Sequence, residues 1–256
     1  MTSFLDLGVP ADLAAVLAKD GKTEAFAIQR DTLPDSLAGR DLLGRGRTGS
    51  GKTIAFALPL VARIAASARS SRPGHPRALV LAPTRELATQ IAATIAPLAE
   101  AKGLRVTTVF GGVSQRPQEQ AMRSGVDIVV ACPGRLEDLM KQRVVHLDAV
   151  EVTVLDEADH MADLGFLPGV TRILTATPAG GQRLLRAAPA GERDDDAVVG
   201  VHERGHLARE DQLTLGARRA VVGEHRGDLL QGSQWLMSLF SGLRCHRGSL
   251  SFLEEA

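Results

Sequence analysis

The stretch Gly46-Arg47-Thr48-Gly49-Ser50-Gly51-Lys52-Thr53 has the pattern G-x-x-x-x-G-K-T. It lies between Asp41-Leu42-Leu43 and an apolar run at 54–58, which predicts a strand, a tight loop and a helix. In such a loop, glycines let backbone N–H groups turn toward an anion, and a lysine reaches the β- and γ-phosphates. The pattern predicts a nucleoside triphosphate site formed by Gly46, Thr48, Gly49, Ser50, Gly51, Lys52 and Thr53, with the Thr53 hydroxyl available to Mg²⁺.

Short apolar runs alternate with helical patterns on both sides of this loop. Strands are predicted at residues 78–82, 106–110, 126–131 and 150–155, and helices at 53–68, 85–101, 115–123 and 135–141. The strand candidates are rich in β-branched residues, which is typical of strands buried on both faces. The alternation predicts an α/β fold of the P-loop NTPase class, a parallel sheet flanked by helices.

A second candidate site follows the last of these strands. The apolar residues 152–155 end in Asp156-Glu157-Ala158-Asp159, and functional groups of parallel sheets lie at the carboxyl ends of the strands. Asp156 is predicted to hold Mg²⁺, and Glu157 to orient or deprotonate the water that attacks the phosphate. Lys52, Asp156 and Glu157 are therefore the predicted catalytic residues.

Composition excludes several classes of protein. The 256 residues carry 30 Lys and Arg against 30 Asp and Glu, and only 3% are aromatic, which argues against a binder that stacks bases on aromatic platforms. Two cysteines are too few for a disulfide framework or a four-ligand zinc site. No leader or membrane-spanning run is evident. The expected location is cytoplasmic, with no membrane partner.

Three further motifs follow strand candidates in order along the chain. They are Pro83-Thr84-Arg85-Glu86-Leu87-Ala88, Gly111-Gly112 and Cys132-Pro133-Gly134-Arg135. Together with the D-E-A-D letters of 156–159, this ordered set resembles the DEAD-box ATP-dependent RNA helicase family. The resemblance runs from about Phe4 to about Leu185 and corresponds to the first RecA-like lobe of that family.

The resemblance implies ATP and Mg²⁺ as cofactors, RNA as partner, and hydrolysis coupled to RNA strand separation. It implies RNA contacts at the three loops, where backbone N–H groups and arginines suit a sugar-phosphate backbone and carry little sequence information. The implied RNA-binding residues are Pro83, Thr84, Arg85, Gly111, Gly112, Pro133, Gly134 and Arg135.

The family also has an adenine-reading segment, which residues 21–29 match in part. The resemblance implies that Gln29 pairs with adenine through its amide, which is both donor and acceptor, and that Phe4 is the upstream aromatic residue. Lys22 stands where the family has Phe, and Ala25 and Ala27 stand where it has Pro.

Residues 186–256 do not match the family, and an irregular or disordered tail is expected after a lobe at 1–185. Residues 186–189 stand where the family has its Ser-Ala-Thr segment. The residues after 185 are expected to be too few and too irregular for the family's second RecA-like lobe. We predict a truncated or frame-shifted helicase, weak or inactive alone. The alternative for the tail is a genuine segment that packs on the lobe and is anchored by residues 235–240. The alternative for the function is a catalytically inactive, nucleotide-dependent RNA-binding or interaction module.

Overall fold

The computed structural model describes residues 2–45, 51–187 and 199–202, of which 45, 186, 187 and 199–202 are described by backbone alone. The strands in this part of the chain are β1 Asp41–Arg45, β2 Ala78–Leu81, β3 Val106–Val109, β4 Ile128–Ala131, β5 Val152–Leu155, β6 Gln182–Ala187 and β7 Val199–His202. The helices are α1 Ala11–Lys19, α2 Ala27–Leu37, α3 Lys52–Ala66, α4 Arg85–Glu100, α5 Arg116–Arg123, α6 Pro133–Lys141, α7 Ala158–Asp163 and α8 Leu167–Ala176. Each strand and helix predicted above is present within a few residues of its expected bounds.

The strands form one sheet in the order β3-β4-β2-β5-β6-β1-β7. Every pair from β3 to β1 is parallel, as the predicted fold class requires. All the loops that follow β1 to β5 therefore leave the sheet at one edge, the carboxyl edge, and the opposite edge is the amino edge. The order places β5 between β2 and β6.

Apolar side chains pack on both faces of this sheet. In β2, Ala78 and Val80 belong to the core on one face, and Leu79 and Leu81 belong to the core on the other. Helices α1, α3 and α4 cover the first face, and α6 and α8 cover the second. The near-continuous β-branched runs that predicted doubly buried strands are confirmed by β2, β4 and β5, which are buried along their whole length.

The end of the sheet near β1 differs from expectation. β6 continues through Ala187 and pairs with β1 to the end, two residues past the predicted limit at Leu185. β7 pairs antiparallel with β1. The segment predicted to be irregular therefore contributes one edge strand, and the rest of residues 188–256, with the proposed anchor at 235–240, lies outside the described residues.

The amino edge is held by a buried arginine. Arg77 Nε donates to Glu151 Oε1 at 2.9 Å and Nη2 donates to the carbonyl oxygen of Ile64 at 2.7 Å. Nη1 lies 3.9 Å from Asp127 Oδ1, and the three charged side chains are 4%, 15% and 9% exposed for Arg77, Glu151 and Asp127. Because these residues precede β2, β5 and β4, one guanidinium joins the starts of three neighbouring strands.

Helix α6 ends in a Schellman motif that contains a strained residue. The N–H of Val144 donates to the carbonyl oxygen of Leu139 at 2.9 Å, and that of Arg143 donates to Met140 at 3.0 Å. Arg143 has a φ of 57°, in the left-handed region where glycine is the usual residue.

Arg143→Gly is expected to raise the free energy of unfolding by about 1 kcal/mol, because it removes the clash of a Cβ in this conformation. Urea unfolding measures the change. Arg143→Ala is the matched control, since it removes the same long side chain but keeps the Cβ. Equal effects of the two variants would contradict the role assigned to backbone strain.

Among the described residues, no helix combines the length and apolar character that a membrane crossing needs.

Candidate functional site

The carboxyl edge of the sheet brings the predicted site residues into a row. Gly111 and Gly112 follow β3, Cys132 to Arg135 follow β4, Pro83 to Arg85 follow β2, and Asp156 and Glu157 follow β5. The phosphate-binding stretch follows β1 at the far side of β6. The acidic pair therefore lies between the three predicted RNA-binding loops on one side and the predicted phosphate loop on the other.

Helix α3 begins where the phosphate loop ends. Gly51 is its N-cap, with a φ of 78° that favours glycine, and Lys52 and Thr53 are its first residues. Lys52 is buried at 7% exposure. A helix N-terminus presents free N–H groups and a positive dipole end to an anion. Gly46, Thr48, Gly49 and Ser50 lie outside the described residues, and their role stays a prediction.

The acidic motif is buried at its first residue and strained at its second. Asp156 follows β5 and is 0% exposed, and helix α3 packs against that strand. Glu157 is the N-cap of α7, with a φ of 52° and a ψ of 53°. His160 Nδ1 lies 3.3 Å from Glu157 Oε2. A non-glycine residue held in this conformation is a recognised mark of functional sites.

The donor set at this place fits Mg²⁺. A hydroxyl at the start of α3 and a carboxylate at the end of the strand beneath it are hard oxygen ligands, and Mg²⁺ in nucleotide sites takes one or two protein oxygens together with phosphates and water. No cluster of three or more His, Cys, Asp or Glu residues suited to a metal occurs among the residues described. The site therefore suits a metal that arrives with phosphates better than one held by the protein alone.

Gln29 joins the predicted adenine-reading segment to the phosphate loop. Its Nε2 donates to the carbonyl oxygen of Gly51 at 2.8 Å, and its Oε1 accepts from the N–H of Phe26 at 2.9 Å. The side chain is 0% exposed. In this arrangement both ends of the amide bind the protein's own backbone. Direct pairing of Gln29 with a base stays a prediction.

Phe4 lies in the core. It is 3% exposed and packs in the same apolar cluster as Val9 and Leu13. Its carbonyl oxygen accepts from the N–H groups of Leu7 and Val9 at 3.2 and 3.1 Å. The described position gives Phe4 a packing role, and its contact with a base stays a prediction.

The three predicted RNA-binding loops contact one another through two arginines. Arg85 Nη1 lies 3.5 Å from the carbonyl oxygen of Gly112, and both terminal nitrogens of Arg135 lie 3.4 Å from that of Val113. Gly112 has a φ of 74°, and a Cβ there would meet Arg85 Nη1 at 2.6 Å. The loop after β3 thus positions Arg85, the first residue of α4, and Arg135, in the first turn of α6.

Helix caps orient two of these loops. Thr84 is the N-cap of α4, and its hydroxyl accepts from the N–H of Leu87 at 3.2 Å. Pro133 is the first residue of α6, a position that proline often occupies. Gly134 has open space around its Cα, and Pro83 and Gly111 lie at the same edge. The structure thus gathers all eight predicted RNA-binding residues on one side of β5.

Cys132 is the N-cap of α6 and makes no capping hydrogen bond. Burial, with a further contribution from the charge of Glu86, raises the pKa of its thiol from 9.0 to about 11. The thiolate is the reactive form of cysteine.

At pH 8, Cys132 in the folded chain is therefore expected to react with iodoacetamide about a hundredfold more slowly than in urea-unfolded chain. The rate is measured on the peptide containing Cys132 by mass spectrometry. Similar rates in the folded and unfolded chain would show that the fold does not raise the pKa of the Cys132 thiol.

Two contributors to this edge were missed by sequence reasoning. One is the carbonyl oxygen of Val113, which holds Arg135. Because every residue type has a backbone carbonyl, the sequence could not have identified this contact. The other is Phe26, which is 58% exposed beside Gly51. The sequence feature that could have drawn attention to Phe26 is an aromatic residue at the N-cap of a helix, where Ser, Thr, Asp or Asn is usual.

A parallel sheet with a phosphate loop and an acidic strand end at one edge defines the P-loop nucleotide-binding class. A sequence model of the DEAD/DEAH box helicase family matches residues 21–194. Because the match covers more than half of the chain, the chain belongs to the DEAD/DEAH box helicase family. The match extends past the predicted limit at Leu185.

Individual relatives agree with this assignment. The chain is 42% identical over 185 residues to the DEAD-box ATP-dependent RNA helicase CshA of Streptococcus pneumoniae, covering 72% of this chain and 34% of that protein. It is 42% identical to the ATP-dependent RNA helicase RhlB of Sodalis glossinidius, covering 71% and 44%. The chain thus spans less than half the length of these curated relatives.

A solved structure confirms the fold class. The crystal structure of a DEAD box protein from the hyperthermophile Methanococcus jannaschii is similar with a TM-score of 0.67 and 32% identity, covering 75% of this chain and 51% of that chain. The RecA-like parallel sheet predicted from the sequence is therefore confirmed.

Proposed function

We propose that this chain is the ATP-binding lobe of an ATP-dependent RNA helicase, which couples ATP hydrolysis to local RNA strand separation. One observation carries the proposal. The acidic pair at the end of β5 lies between the ends of β3, β4 and β2, which lead into the loops predicted to bind RNA, and the end of β1, which leads into the predicted phosphate loop. Neighbouring placement at one edge allows RNA binding to influence the groups that act on the phosphates.

On this proposal, Lys52 binds the β- and γ-phosphates and Glu157 orients the attacking water and accepts its proton. Thr53 and Asp156 would hold Mg²⁺, which supplies positive charge to the phosphate oxygens. His160 lies 3.3 Å from Glu157 Oε2 and positions that carboxylate.

RNA is proposed to bind through its sugar-phosphate backbone. Thr84, Arg85, Gly112 and Arg135 lie at the start of α4, in the loop after β3 and in the first turn of α6, where N–H groups and guanidinium groups face the same edge. Such contacts position a strand without reading its bases. We expect binding that tolerates any RNA sequence and weakens with added salt.

The chain alone is proposed to turn ATP over poorly. The resemblance implies a second RecA-like lobe that supplies arginines to the γ-phosphate, and such arginines contribute about 10³- to 10⁵-fold in phosphoryl transfer. The lobe boundary near residue 185 and the cytoplasmic location stay predictions.

The testing experiment measures ATP binding, RNA binding and RNA-stimulated hydrolysis on the purified chain with Mg²⁺. We expect weak binding of both ligands and slow turnover. Strong RNA-stimulated hydrolysis would contradict the need for a second lobe. Nucleotide and RNA binding with no hydrolysis at all would favour an inactive RNA-binding module, and absence of both kinds of binding would overturn the proposal.

A further inference from the structure

Exposed arginines gather at the amino edge of the sheet, in the four connections that lead into β2, β3, β4 and β5. These connections are residues 67–77, 101–105, 124–127 and 142–151. Their exposed arginines are Arg69, Arg72, Arg105 and Arg143, and Arg123 at the end of α5 is a fifth. Asp148 is the one exposed carboxylate in these connections, all of which the structure describes. Because the chain as a whole has 30 basic and 30 acidic residues, this edge holds a local excess of positive charge.

A contact at Gly125 brings three of these arginines to one place. A Cβ built on Gly125 would lie 3.2 Å from Arg105 Nη2 and 3.7 Å from the carbonyl carbon of Arg72. The guanidinium of Arg105 thus lies beside the backbone of Arg72, although the two residues precede different strands. Arg123 lies two residues before Gly125, and its side chain is 74% exposed.

The connection after α6 reaches the same place. A Cβ built on Gly74 would meet the carbonyl oxygen of Val144 at 2.9 Å, and the N–H of His146 donates to the carbonyl oxygen of Gly74 at 2.8 Å. Arg143 directly precedes Val144 and is exposed, with a φ of 57° where glycine is the usual residue. An arginine is thus kept on this surface at a cost in backbone strain, which is a recognised mark of functional sites.

The protein itself neutralises little of this positive charge. Arg72 Nη2 lies 3.6 Å from Asp148 Oδ2, and the two side chains are 62% and 64% exposed, so the pair is weak. Asp148 is also bound by His75 Nδ1 at 2.7 Å. Within the part of the chain that the structure describes, Arg105 and Arg143 make no ion pair. Their guanidinium groups are therefore available to an anionic partner.

The chemistry of this surface suits a nucleic-acid backbone better than a protein partner. Protein interfaces are centred on buried apolar or aromatic anchors. The large apolar side chains exposed among the described residues all lie outside these connections, and they are Leu5, Phe26, Val113 and Leu164. Neighbouring strands are about 4.8 Å apart, so the starts of β3, β4 and β2 spread the arginines over roughly 10 Å. Guanidinium groups bind phosphates in a bidentate manner, and that span covers several phosphates of one strand.

We propose that the amino-edge surface, formed by Arg72, Arg105, Arg123 and Arg143, binds the sugar-phosphate backbone of RNA outside the segment held at the carboxyl edge. This inference rests on the proposed function, which makes RNA the partner of the chain. The two RNA-binding surfaces are separated by strands of about 13 Å together with their loops. A short RNA therefore occupies one surface at a time, whereas a long RNA reaches both and gains affinity from the raised effective concentration.

The test measures the stoichiometry and affinity of RNA binding to the full chain by fluorescence anisotropy, with single-stranded RNAs of about 8 and about 40 nucleotides. The amino-edge variant carries Arg105→Gln and Arg143→Gln. We expect the unaltered chain to bind two copies of the short RNA and the variant to bind one. For the long RNA, we expect the variant to lose between about tenfold and a hundredfold in affinity, and the slope of its salt dependence to fall by about 1.4.

Two further variants serve as comparisons. The control variant, Lys19→Gln with Arg172→Gln, removes the same number of exposed charges from α1 and α8 and should bind both RNAs as the unaltered chain does. The carboxyl-edge variant, Arg85→Gln with Arg135→Gln, should still bind one copy of the short RNA. Circular dichroism checks that every variant is folded.

Each contrary result separates this inference from the proposed function. If the amino-edge variant binds both RNAs as tightly as the control variant, or if the carboxyl-edge variant alone loses all binding of the short RNA, the second surface is overturned and the proposed function stands. If the amino-edge variant keeps its RNA affinity but loses polyglutamate that the unaltered chain binds, the surface takes an acidic protein segment, and the RNA assignment is overturned. If the unaltered folded chain binds no RNA, the proposed function fails together with this inference.

Discussion

Replacing Arg77 by Met is expected to lower the free energy of unfolding by about 3–5 kcal/mol. The loss is large because Arg77 joins two carboxylates that are themselves nearly buried, Asp127 at 9% and Glu151 at 15% exposure. Without the guanidinium, both negative charges remain at the starts of β4 and β5 with no cation between them. The carbonyl oxygen of Ile64 also loses its donor.

Urea unfolding followed by circular dichroism measures this change. Arg72→Met is the matched control, since Arg72 is 62% exposed and lies 3.6 Å from an exposed carboxylate. Its effect is expected to stay within about 0.5 kcal/mol. If Arg77→Met were as mild as Arg72→Met, the buried network would not stabilise the amino edge.

Replacing Lys52 by Ala is expected to weaken ATP binding by between about tenfold and a hundredfold, the range typical for loss of a hydrogen bond to a charged group. Lys52 is 7% exposed at the first position of α3. Because Lys52 is shielded from water, the attraction between its ammonium group and a bound phosphate is stronger than it would be at an open surface. Alanine is a good helix former, and α3 should be retained.

Competition against a fluorescent ATP analogue measures the affinity. The control is Lys141→Ala, which removes a lysine that is 70% exposed near the end of α6 and should leave the affinity unchanged. Equal affinity of the Lys52 and Lys141 variants would contradict the placement of the phosphates at α3.

The sheet was predictable because its strands are apolar on both faces. Residues 78–81 and 152–155 are short, mostly apolar runs, which predict buried strands. The helical patterns between them are long enough to connect parallel strands. Helix α2 was not predicted, because it buries polar residues. Thr32 and Ser36 are buried, and their hydroxyls donate to carbonyl oxygens four residues earlier, at 2.6 and 2.8 Å. A helix that buries hydroxyls in this way shows no apolar period.

The candidate site was predictable only as separate motifs. The sequence places each motif after a strand, but the order of strands across a sheet cannot be read along the chain. That β2 and β4 lie side by side, and that β5 separates them from β6 and β1, became known only from the structure. The burial of Phe4 and the bond from Gln29 Nε2 to Gly51 were likewise beyond motif reasoning, because a motif does not show how a side chain packs or which residue far along the chain it meets.

The two edges of the sheet have a practical consequence for engineering. A four-residue strand spans about 13 Å, so Arg77, at the start of β2, lies well away from the groups at the carboxyl edge. Helix α6 begins at that edge, and its length of about 13 Å carries Arg143, just after its end, a similar distance away. Substitutions separated by such distances usually combine additively. The free energy of unfolding gained with Arg143→Gly therefore offsets part of the loss caused by a destabilising substitution at the carboxyl edge. In the chain that carries Arg143→Gly, such variants stay folded, and their ligand affinities can be compared.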